Sequence, residues 1–168
     1  MLTPPPADAV TADVVEIERS LDRIAYLSSR IRQHDRLVAL AGVSLDRAAT
    51  ALLRQIAESE SLRPGELALR LGVEASHVTR QVHRLERAGY VRRVPDPDDR
   101  RAQRIELTQP GLAAVERIRE AGCRGMQMAL AAWSPQDLRQ LAGLFRRMVD
   151  DFVVHAVEDD PEPAAVTA

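Results

Sequence analysis

Between residues 64 and 107 the chain reads PGELALRLGVEASHVTRQVHRLERAGYVRRVPDPDDRRAQRIEL, and most of its candidate chemistry is concentrated there. Ser76, His77, Arg80, His83, Arg84 and Arg87 share one side of the segment Ala75 to Ala88. Val78, Val82 and Leu85 hold the other side at helical spacing. An exposed helix with such side chains can enter the major groove of DNA, where a guanidinium grips guanine bidentately and hydroxyl or imidazole groups meet other base edges. Ser76, His77 and Arg80, near the helix start, are therefore candidate base readers, with Thr79 and Gln81 on the flanks. Arg84 and Arg87 lie further along and suit phosphates, although a solvated helix face would also account for them. His83 fits the solvated face better. The start of the preceding helix, at Arg63, can offer backbone N–H groups to a phosphate.

Other chemistries find little support. No glycine-rich phosphate loop, His-Glu-x-x-His pair or nucleophile elbow occurs, so the chain is not expected to be an enzyme. A lone Cys123 excludes an internal disulfide and a multi-cysteine zinc site, and no metal or cofactor is expected. Cys123 itself reads as a buried structural thiol in mid-helix. His34 and His155 fall near expected helix ends, where compensation of the helix dipole explains them. The net charge of −2 argues against a protein that coats nucleic acid through bulk positive charge. Local charge differs: Ser76 to Arg104 carry eight Arg against four carboxylates. All 23 basic residues are arginine, a bias that fits a GC-rich bacterial coding region. The lack of a signal-like start or a long apolar run predicts a soluble, cytoplasmic protein.

The elements that must carry these side chains can be read in order. A Pro-rich arm, residues 1–12, precedes a long helix expected from about Asp13 to Asp35. Its narrow stripe of Val14, Ile17, Leu21, Ile24 and Ile31 suits a helix–helix seam. Ser44 or Asp46 can cap a second helix, running to about Glu58 with Leu45, Ala49, Leu52, Leu53 and Ile56 inward. After a loop at Ser59-Glu60-Ser61, Pro64 opens a short helix that packs Leu67, Ala68 and Leu71. Gly72-Val73-Glu74 is a tight turn, with Gly72 free to take positive φ.

Beyond the basic helix, Gly89 stops the chain's helical run. Tyr90 to Val94 and Ala102 to Leu107 pair as strands around an open, proline-stiffened tip, Pro95 to Arg101. Thr108 caps a long helix with Leu112, Val115, Ile118, Met126 and Leu130 on its buried side. Ser134-Pro135-Gln136-Asp137 starts a last helix bearing Leu138, Leu141, Leu144, Phe145, Met148, Val149 and Phe152. An acidic tail, residues 158–168, closes the chain. The fold class is mainly α with a small β-hairpin wing: a winged helix-turn-helix at about 44–107, inside a domain spanning 13–157. Helices at about 13–35 and 108–155 flank the winged helix-turn-helix.

The segment GELALRLGVEASHVTRQVHRLERAGYVRRVPDPDDRRAQRIELTQPG, 65 to 111, resembles the MarR family of transcriptional regulators. Its most specific part is the Asp-Pro-Asp-Asp-Arg-Arg tip followed by a strand and Leu-Thr-x-x-Gly. The resemblance implies a homodimer, with the helices at about 13–35 and 108–155 as its dimerisation region, that binds double-stranded DNA at a palindromic operator, usually as a repressor, and that a small aromatic or phenolic ligand releases. It further implies that Asp99 supports Arg101, which enters the minor groove, with neighbouring Arg100 as the alternate. A bacterial cytoplasmic protein, at the nucleoid when bound to DNA, follows from the same resemblance. Effector residues stay open; Tyr26 suits a pocket and a core position equally well. Arg63 stands where the family usually places a Ser or Thr cap, and the cysteine and ligand sets of the oxidation- and zinc-sensing branches are absent. The rival reading is a winged helix that serves only as a protein-interaction module.

Overall fold

The computed structural model describes residues 11–59, 61–99 and 101–158, with the side chains of Ile31 and 156–158 left aside. The Pro-rich arm up to residue 10, the tail from residue 159, and Arg100 lie outside the described residues. Among the described residues, seven helices and three strands follow in the order α1 (Ala12–Ser29), α2 (Ile31–Leu40), α3 (Arg47–Ser59), β1 (Ser61–Leu62), α4 (Pro64–Leu71), α5 (Ala75–Arg87), β2 (Val91–Pro95), β3 (Gln103–Leu107), α6 (Gln109–Ala129) and α7 (Pro135–Glu158). Packing divides the chain into one unit ending at Arg124 and a second beginning at Gly125.

The first unit is built on α3. Leu45, Ala49, Leu52, Leu53 and Ile56 are all buried, as their spacing predicts, and they meet Leu67, Val78, Val82, Leu85, Ile105 and Ile118 in one core. Asp46 caps α3 by accepting the N–H of Ala49 at 2.7 Å. Gly72 ends α4 at φ 61°, the left-handed conformation the turn requires. Three strands form an antiparallel sheet in the order β1-β3-β2, with Val91 opposite Leu107 and Arg93 opposite Ile105. Thr108 accepts the N–H of Gly111 at 3.2 Å and so caps α6.

Several expectations need correcting. The single helix from Asp13 to Asp35 is two, because Arg30 takes an extended conformation (ψ 130°) between them. No Gly or Pro marks this break. Its carbonyls are satisfied from elsewhere: Arg47 donates to the carbonyls of Ser29 (2.7 Å) and Ser28 (3.0 Å), and the Ser29 hydroxyl donates to Tyr26 (2.7 Å). His34 consequently lies in the first turn of α2, where its Nε2 donates to the Leu45 carbonyl at 3.0 Å. The expected loop at Ser61 is strand β1, paired with β3 through Ser61 opposite Glu106 and Leu62 opposite Ile105. On α6 the buried positions are Gly111, Ala114, Ile118 and Ala121, while Leu112 and Met126 are exposed. Small residues let α6 lie close to the core, so that stripe replaces the larger one. Cys123, expected to be buried, is exposed within this chain because it lies off the buried stripe that ends at Ala121.

In the second unit, Ser134 caps α7: its hydroxyl accepts the N–H of Asp137 at 3.1 Å and donates to the Asp137 carboxylate at 2.6 Å. Leu141, Leu144, Phe145, Val149 and Phe152 are all exposed along α7. In the first unit the same is true of Val14, Ile17 and Ile24 on α1.

Candidate nucleic-acid interface

Helix α5 buries Val78, Val82 and Leu85 to 2% exposure or less, which turns Ser76, Arg80, Arg84 and Arg87 outward. Among the described residues no carboxylate pairs with those three arginines, so their guanidinium groups remain available to a polyanion. His77 is half-buried at the helix start, where its backbone N–H donates to Glu74. Thr79 is exposed but turns its hydroxyl back to the Ala75 carbonyl at 2.9 Å. Gln81 departs from its expected place on the flank. It is 6% exposed and donates to the Asp46 carboxylate at 3.4 Å, tying α5 to the start of α3.

Three further arginines of the basic stretch, Arg92, Arg93 and Arg104, are engaged in holding the wing. Arg92 meets Glu106 across β2 and β3 at 2.9 Å, in register, and Arg93 reaches Glu86 on α5 at 3.4 Å. Arg104 donates to Asp96 at 2.9 Å and to the Ser61 hydroxyl at 3.3 Å. The wing tip is closed rather than open. Asp96 donates its N–H to the Ala102 carbonyl, Ala102 donates to Asp99, and the Asp96 carboxylate accepts from the N–H groups of Asp98 and Asp99. Asp99 accepts the backbone N–H of Arg101 at 2.9 Å, so its support acts on the chain beside Arg101 and leaves the exposed guanidinium to solvent.

Arg63 has a second attachment. It precedes α4 in an extended conformation, its N–H donates to Glu66 at 2.8 Å, and its Nε donates to Asp96 at 2.7 Å. The Glu66 carboxylate thus caps the first turn from within the helix. Asp96 was not among the residues singled out from the sequence. Its side chain is fully buried, and hydrogen bonds from Arg63, from Arg104 and from two backbone N–H groups hold its carboxyl well below the usual carboxylate range. Arg63 is correspondingly raised, chiefly by its bond to Asp96. A signal was present in Asp96-Pro97-Asp98, since an Asp before Pro commonly folds its side chain onto the next N–H groups.

Comparison with known proteins agrees with this geometry. The family model described as MarR family matches residues 45–102. The regulator PecS of Dickeya dadantii is 31% identical over 98 residues, covering 58% of this chain and 59% of that protein. The chain thus spans less than two thirds of that relative's length. A MarR family protein from Bacillus stearothermophilus superposes with a TM-score of 0.72 at 24% identity, covering 86% of this chain and 99% of that one. A mutant MarR from E. coli, solved in complex with operator DNA, matches at 26% identity and a TM-score of 0.54, over 77% of this chain and 93% of that one. The matched segment, the winged helix-turn-helix order and the wing's strand pairing agree, and over residues 45–102 this chain is similar to the MarR family.

Proposed function

We propose that this protein regulates transcription by binding DNA as a homodimer, one winged helix per half of a palindromic operator, and that it acts as a repressor. The observation that carries the reading is the outward row Ser76, Arg80, Arg84 and Arg87 on α5, free of carboxylate partners among the described residues, beside a wing that presents Arg101. Arg80 reads a base edge; Arg84 meets phosphates, as do backbone N–H groups at the helix start beside Arg63; Arg101, with neighbouring Arg100 as the alternate, enters a minor groove whose narrowness concentrates negative potential. Ser76, His77 and Thr79 line the reading end of α5, and Asp99 steadies the wing beneath Arg101. To enter successive major grooves, the α5 helices of the two copies must lie about 34 Å apart. Support for the dimer comes from the apolar stripes on α1 and α7, which are exposed in a single chain. The E. coli MarR complex with operator DNA supports the DNA reading.

Release by a small aromatic or phenolic effector completes the proposal and rests on family resemblance. Such a ligand acts by binding the released geometry more tightly than the DNA-bound one. The whole reading places the protein in the bacterial cytoplasm; no described helix is long and apolar enough to cross a membrane.

The test is selection of genomic fragments by the purified protein, followed by a salt titration on the best site. Recovery of a palindrome with half-sites about one turn apart, and a log–log salt slope near −0.9 per phosphate contacted, supports the proposal. Failure to enrich any site would turn the reading toward a winged helix that binds protein.

A further inference from the structure

The side chain of Asp96 is 0% exposed, yet it directly follows β2 at the tip of the wing. Its Oδ2 accepts from Arg63 Nε at 2.7 Å and Arg104 Nε at 2.9 Å. Its Oδ1 accepts the backbone N–H of Asp98 at 2.9 Å and of Asp99 at 3.2 Å. These donors come from three separate segments: the residue that begins α4, the strand β3, and the turn at the wing tip. The β1–β3 register, Ser61 opposite Glu106 and Leu62 opposite Ile105, brings Arg63 alongside Arg104. Two guanidinium groups placed there repel unless an anion lies between them. Asp96 is that anion.

The bonding continues outward. Asp96 holds the N–H of Asp99, and Asp99 holds the N–H of Arg101. It continues inward as well, since Arg63 is fixed to the first turn of α4 through Glu66, and α4 packs Leu67 into the core that α5 shares. We propose that Asp96 is a positioning residue for DNA recognition: it locks the wing to the start of α4, so that the wing and α5 meet the duplex at one fixed separation. This rests on the DNA-binding reading above. Asp96 touches no DNA in this arrangement. It spares the wing from being ordered during binding, and that ordering would otherwise weaken the complex.

The test uses the full chain and its selected operator, with hydroxyl-radical footprinting of wild type and Asp96→Asn. Asparagine keeps the shape and one acceptor but sets an NH2 group against the two arginines. The expected result is a roughly tenfold or greater loss of affinity, with minor-groove protection on the outer flanks fading while the major-groove half-sites stay protected at saturating protein. Arg104→Gln, which leaves the Arg63–Asp96 bond in place, serves if the first variant fails to fold, and is expected to show a smaller loss with the same flank pattern. Uniform loss across flanks and half-sites would mean that Asp96 only stabilises the fold, and would overturn the proposal. So would unchanged flank protection with affinity within twofold of wild type. A wild-type chain that selects no site overturns the DNA reading itself, and the positioning role with it.

Discussion

Arg80 and Asp96 sit about as far apart in kind as two charged side chains can: one is open to solvent on α5, the other is sealed beneath the wing. Arg80 is legible in the sequence because an exposed position on an amphipathic helix follows from local period alone. Arg80→Ala is expected to cost about 1–3 kcal/mol of operator discrimination, or roughly 5- to 150-fold in affinity. Fluorescence anisotropy on operators altered at single base pairs checks this, and equal losses on every sequence would reduce Arg80 to a phosphate contact. Asp96 carries a pH signature. Its carboxyl is depressed in the folded chain by Arg63, by two backbone N–H groups and by Arg104, so its stabilisation is complete above the unfolded-chain pKa of about 3.9. That contribution is lost as pH falls below this value toward the depressed native one. The gap in melting temperature between wild type and Asp96→Asn should therefore be constant near neutrality and narrow between about pH 5 and pH 2. A gap that stays constant to pH 2 would show that the carboxylate charge contributes nothing.

Among the elements, the joint between β2, β3 and α6 is the tightest. The Tyr90 carbonyl accepts the N–H of Thr108 at 3.0 Å, and Thr108 donates its hydroxyl to Gly89 at 2.5 Å. A Cβ on Gly111 would collide with that same Tyr90 carbonyl, so the glycine is needed for close approach rather than for its φ. Gly111→Ala is expected to destabilise by about 1–3 kcal/mol or more, lowering the melting temperature by roughly 2–12 °C. An unchanged thermal melt would mean that α6 can shift without cost. The break at Arg30 lies at the same scale, and the sequence concealed it. Helix periodicity runs through Ser28, Ser29 and Arg30 without a breaker, and the groups that satisfy the broken helix end belong to Arg47, far along the chain.

For the whole molecule, the exposed rows on α1 and α7 carry the proposed dimer. Leu144, Phe145 and Phe152 on α7, and separately Val14, Ile17 and Ile24 on α1, are exposed apolar rows of the kind that mark interaction surfaces. Sedimentation at micromolar concentration should give about twice the 18.6 kDa mass of one chain. Phe152→Glu should shift that species toward monomer and, if each operator half takes one winged helix as proposed, weaken operator binding in step. A monomeric wild type would remove the dimer from the proposal. The salt slope belongs to this scale too, because it counts phosphates met by both copies.

By itself the sequence determined the helix order from α3 to α7, the left-handed turn at Gly72, the buried row of α3 and the outward row of α5. These depend on period, caps and turn residues, which act over a few positions. Only the tertiary structure decided that Gln81 turns inward to Asp46, that Ser61 and Leu62 form a third strand, that α1 ends at Ser29, and that Arg63, Asp96 and Arg104 share one buried carboxylate. Each of these depends on at least one hydrogen bond or strand pairing between residues more than ten positions apart. No local pattern encodes which of the chain's many arginines will find which carboxylate; that is set by the packing that brings them together.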